Sequence, residues 1–132
     1  MKRALPRPVV LLTALLLSAA LGTSLVFAGN NPRDQAREAA ASAAYAAYEA
    51  QYANGTVTLD TVYLWSVRWM DSEKKTKAAL PAAQAHLARM RALQASVKSR
   101  ANVGLASGAD GKASVYYTAE AEAWVVDAGG TP

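Results

Sequence analysis

The sequence contains no cysteine and no isoleucine, and it has one histidine and one phenylalanine. The lack of cysteine excludes a disulfide framework, a cysteine-ligated zinc or haem site, and a lipidated cysteine at an export boundary. The lone His86 has no second His or Cys to share a metal with. No run alternates apolar and polar residues as a half-buried strand does. Charge of one sign is also scarce, with 14 Lys and Arg against 10 Asp and Glu over 132 residues. Three of those bases, Lys2, Arg3 and Arg7, precede residue 29, which leaves 11 bases and 10 acids beyond it. The basic surplus belongs to the first residues, and it gives no reason to expect a nucleic-acid partner.

After the three bases comes an uncharged, leucine-rich run from Val9 to Gly22, then small residues ending in Val26-Phe27-Ala28. That order is the order of a secretory signal peptide over residues 1–28. The alternative is an uncleaved anchor, because Val9 to Ala28 is 20 uncharged residues, enough for a helix across a bilayer. Positive charge at the start puts residues 29–132 outside the cytoplasm on either reading. The chain is expected to be exported, periplasmic or envelope-associated. It should touch a membrane only through this segment, if the segment is retained.

Residues 29–132 hold 26 alanines and only 19 Val, Leu, Met and Trp. This is thin material for a compact core. Long helical hairpins with close alanine contacts suit it better, and the expected fold is all-α. Asn31-Pro32-Arg33-Asp34 opens a first helix with an N-cap, Pro at N1 and an acid at N3. Asn54-Gly55 closes it. Tyr45, Tyr48 and Tyr52 share one face. A second helix starts at Thr58, whose hydroxyl is expected to cap Asp60 and Thr61, and carries Val62, Trp65, Trp69 and Met70. Its end pairs Asp71 with Lys75 and Glu73 with Lys77. A third helix, from about Pro81 to Ala101, shows a coiled-coil stripe of Leu80, Leu87, Met90, Gln94, Val97 and Ala101. The fourth runs from about Lys112 to Asp127 with Tyr117, Ala121 and Trp124 or Val125 inward, and a frayed tail follows.

Gly55-Thr-Val-Thr58 lies 49 residues before Gly104-Leu-Ala-Ser107. This offset divides the domain into two antiparallel hairpins, 32–77 and 81–127, with both glycine turns at one end. Asn102-Val103-Gly104-Leu105, a small-residue stretch, Asp110 and then an Ala/Tyr/Glu-rich helix resemble the periplasmic helical repeat of TolC-type outer-membrane efflux proteins. The layout is also similar to that of short exported helical proteins of unassigned function. The first resemblance covers most of residues 32–127. It implies a hairpin whose Val-Gly-Leu turn docks on the helical hairpin of a periplasmic partner. The chain departs from that family in having no β-barrel strands, so alone it is no channel. Gly108 and Gly111 also stand where the family starts a helix with apolar residues, which predicts a looser second turn.

No catalytic constellation is visible. Asp71 and Glu73, like Glu120 and Glu122, are two residues apart and point to different helix faces. Ser66, Ser96, Ser99 and Ser114 have no base in a recognisable arrangement. Lys74, Lys75 and Lys77, and Arg89, Arg91, Lys98 and Arg100, read as solvated faces. His86 reads as structural or solvent-facing. Trp65 and Trp69 stack at i, i+4 beside Arg68, either as core with Trp124 opposite or as a partner anchor. The expected function is therefore non-enzymatic and cofactor-free. The chain would bind a helical envelope protein through Gly55, Val57, Val103, Gly104 and Leu105, with Trp65 and Trp69 as further contacts. The alternative is a scaffold that associates with itself through its alanine faces.

Overall fold

The computed structural model describes residues 31–132, and the leader expected at 1–28 lies outside them. Four helices follow one another: α1 (Pro32–Ala53), α2 (Leu59–Thr76), α3 (Ala79–Asn102) and α4 (Gly108–Asp127). No strand occurs among the described residues, so the fold is all-α. None of these helices is long and apolar enough to cross a membrane.

Local chemistry explains the ends. The Asn31 side chain accepts the Arg33 amide at 3.0 Å, and Pro32 fills a position whose amide has no helical partner. Gly55 and Gly104 take φ of 73° and 75°, the left-handed conformation that terminates a helix. At the first turn Gly55 N donates to Tyr52 O and Thr56 N to Gln51 O. At the second, Gly104 N donates to Ala101 O and Leu105 N to Arg100 O. The next N-cap, Thr58 or Ser107, comes three residues after each glycine. The repeat read from the sequence is thus a repeat of one backbone device.

Several expected boundaries move. Thr58 makes no capping bond to an amide; its hydroxyl meets that of Thr61 at 3.2 Å instead. α3 begins at Ala79, because Pro81 sits in a first turn that needs no amide from it. α4 begins at Gly108, not Lys112. Ser107 accepts the Asp110 amide at 3.0 Å, and Asp110 accepts the Ser107 amide at 3.2 Å. That reciprocal cap overrides the glycines and keeps the second turn as tight as the first. The tail is not frayed at its start: Gly130 N donates to Val125 O, and a side chain at Gly130 would collide with Leu80.

α1 packs along α2, α3 packs along α4, and α2 carries the contact between the hairpins. Val62, Met70, Met90, Leu93, Val97, Ala121 and Val125 are buried at the centre. The inner stripe of α3 is Ala83, His86, Met90, Leu93 and Val97; Leu93, not Gln94, takes the core position, and Ala101 is exposed. Leu87, Met90 and Val97 are buried as expected, so the stripe holds except at Gln94 and Ala101. On α4 the expected Tyr117, Ala121 and Val125 are buried.

Candidate functional site

Three parts of the molecule concentrate polar or exposed chemistry: the turn end, a buried network between the hairpins, and a tyrosine–carboxylate set between α2 and α4. Arg100 builds the first. Its guanidinium donates to Ala53 O at 2.9 Å, to Tyr52 O at 3.4 Å and to Leu105 O at 3.2 Å, and it lies 5.2 Å from the Tyr52 ring. One side chain of α3 therefore satisfies the last carbonyls of α1 and one carbonyl of the other turn. The Tyr52 hydroxyl also donates to Asp110 at 3.4 Å. Arg100 is not the solvated charge expected; an arginine in a last helical turn aimed at free carbonyls was the signal.

On this clamped end Val103 is 69% and Leu105 64% exposed. Gly55 and Gly104 shape the two reversals, while Val57 is half-buried against the core. Of the expected contact residues, five therefore meet at one end. Trp65 and Trp69 do not join them. Tyr48 stacks on Trp65 with centroids 5.5 Å apart, and Tyr45 meets Trp69 at 5.6 Å, so both indoles are spent between α1 and α2. Arg68 lies 4.6 Å over Trp65, as its spacing allowed. Trp124 does not face these indoles but lies 5.2 Å from His86.

Of the buried network, the sequence showed only the Glu73–Lys77 pair. Glu73, 2% exposed, accepts from Arg89 at 3.1 Å and from Lys77 at 3.0 Å. Lys77 also reaches Glu38 on α1 at 2.9 Å, and the Thr76 hydroxyl donates to Glu38. Asp71 pairs with Lys74, not Lys75. The Thr76 hydroxyl, then Lys77, hold the Glu38 carboxyl below its usual range. Glu38 and Glu73 together hold the Lys77 ammonium above its own. Arg89 is sandwiched, its guanidinium 4.0 Å from the Trp69 ring centroid and its Nε donating to Ser66 Oγ at 2.9 Å.

Ser66 Oγ, which accepts from Arg89 Nε, also shares a hydrogen bond with His86 Nδ1 at 2.9 Å. His86 Nε2 is buried with no hydrogen-bond partner. Burial, reinforced by Arg89, lowers the His86 pKa to about 4. A serine beside a histidine is thus present after all, against expectation. Both residues are 0% exposed and the serine oxygen accepts from Arg89. Among the described residues no three metal-capable side chains converge.

A third set joins α2 to α4. Tyr63 and Tyr117 stack with centroids 4.0 Å apart, their hydroxyls donating to Glu120 and Asp60. Burial and these carboxylates push both phenols upward in pKa. Glu122 instead holds Arg91 at 3.0 Å, so the two acids do serve different faces. Comparison with known proteins found no matching family model, no matching curated protein and no matching solved structure.

Proposed function

We propose that this is a non-enzymatic, exported helical protein that docks on another helical envelope protein through its turn end. The observation that carries the reading is the pair of exposed apolar side chains, Val103 and Leu105, on a turn whose backbone is fixed by Arg100. A rigid apolar projection loses little conformational freedom when it enters a partner's groove. The resemblance of Val103-Gly104-Leu105 to the hairpin turn of TolC-type proteins supports the same use. Export rests on the leader-like residues 1–28. The second reading, a self-associating scaffold, draws on the alanines exposed along the outer side of α1.

Photocross-linking in cells from a reactive side chain at position 105, with position 77 at the opposite end as control, tests the proposal. Capture of one distinct helical envelope protein from 105 but not from 77 supports docking. Self-capture alone, or equal capture at both positions, sinks it and leaves the scaffold.

A further inference from the structure

A different surface has no use in the turn-end reading. α4 buries Ser114, Tyr117, Thr118, Ala121 and Val125. Its opposite side is apolar too: Val115 is 55%, Tyr116 62% and Val126 56% exposed, with Ala119 and Ala123 open between them. These positions recur at helical spacing and form one strip. A helix with only one partnered side ordinarily puts its charges there.

The strip is complementary to itself when reversed. Its bulk lies at the two ends, Val115 and Tyr116 toward the N-terminus and Val126 toward the C-terminus, with the small Ala119 and Ala123 between them. Lys112 stands at one end and Asp127 at the other. Neither has an ion-pair partner among the described residues, whereas Glu122 is already held by Arg91. We propose that two copies of this chain pair through α4, antiparallel, about a twofold axis at Ala119. Reversal sets Val115 over Ala123 of the partner subunit with Tyr116 alongside it, and Lys112 over Val126 of the partner subunit and beside Asp127 of the partner subunit. A parallel pair would oppose lysine to lysine and tyrosine to tyrosine. Alanine on the axis lets the backbones approach, and the interface is isologous, so each favourable contact forms twice. This pairing goes beyond the docking reading and does not rest on it. The turn ends stay free, one at each end of the dimer.

Because the chain has no cysteine, Ala119→Cys in the full chain introduces a single thiol on the proposed axis. Mild oxidation is expected to link it into a dimer, since a disulfide needs the two Cα atoms within about 7 Å. Ala47→Cys, exposed on α1, is expected to stay unlinked. In sedimentation, the native chain is expected to dissociate from dimer to monomer on dilution. Ala119→Arg is expected to remain monomeric with unchanged helical circular dichroism. Lys112→Glu and Asp127→Lys should each weaken the dimer several-fold, and the two together should restore it. A native chain monomeric at every concentration overturns the pairing. So does an Ala119→Cys chain that links no faster than Ala47→Cys, or an Ala119→Arg chain that still dimerises. Cross-linking from position 105 is read separately, so either proposal can fail alone.

Discussion

The two hairpins share a turn and differ in their filling. Each reverses through a left-handed glycine, Gly55 or Gly104, with the next helix capped three residues later. Inside, α1 meets α2 through rings, Tyr45 on Trp69 and Tyr48 on Trp65. α3 meets α4 through Leu93, Val97, Ala121 and Val125. α1 packs its length on α2 alone and meets α3 and α4 only at the turn end, while α2 serves both hairpins. Turn geometry and cohesion are therefore separate properties here. The first repeats because backbone sterics demand it; the second is free to vary as long as volume is filled.

The largest effect should come from the polar contact that joins the two hairpins. Glu73→Ala leaves Arg89 buried without its acid and should cost about 3–5 kcal/mol in denaturant unfolding. A loss below about 1 kcal/mol would mean that this ion pair adds little to the join between the hairpins. Next, Leu93→Ala and Tyr45→Ala should each cost about 3 kcal/mol, but in different places. Hydrogen exchange should rise throughout the domain for the first and chiefly in α1 for the second. Uniform loss for Tyr45→Ala would remove the distinction between the hairpins.

Acid should act through α2 and α3. His86 has a folded pKa of about 4 against an ordinary value of 6.5, so the unfolded chain binds the extra proton first. Its contribution is fully present above pH 6.5 and is lost as pH falls toward 4, at most about 3 kcal/mol. Denaturant midpoints at pH 7 and 4.5 measure it, and His86→Met should flatten that interval. Glu38, lowered in the fold, adds a loss that begins further down, as pH drops below the ordinary carboxylate range. The smallest effect compares the caps. Ser107→Ala should cost about 1 kcal/mol and Thr58→Ala only a few tenths, because only Ser107 bonds an amide. Equal costs would make the two turns equivalent in energy as well as in shape.

The turns were legible because only glycine takes a positive φ cheaply, so Gly55 and Gly104 had few alternative explanations. The start of α4 is also written in the sequence, in Ser107-x-x-Asp110, a cap strong enough to carry two glycines of poor helix propensity into the first turn. Leu93 against Gln94 shows the limit of counting heptads: neighbouring residues on a straight helix differ by one step in phase, and packing picks between them. The Glu73–Lys77 pair was legible at i, i+4, but the burial of Glu73 and the contacts of Glu73 and His86 across the hairpins were not. Their partners lie 16 and 20 residues away on another helix, and burial of a charge depends on who faces it. Arg100 was readable only in half, as a base near a helix end, without the second turn it holds.

Four helices laid antiparallel bring residue 31 and residue 130 out at the same end, away from both glycine turns. In mechanical terms, a pull between those two points does not shear the helices along their lengths. It peels them apart from the open end, loading one layer of side chains at a time, and the force needed stays small. A push on the opposite end is different, since it runs down all four rods at once against the Arg100 clamp. The molecule should be soft when its chain ends are drawn apart and stiff when its turns are pressed.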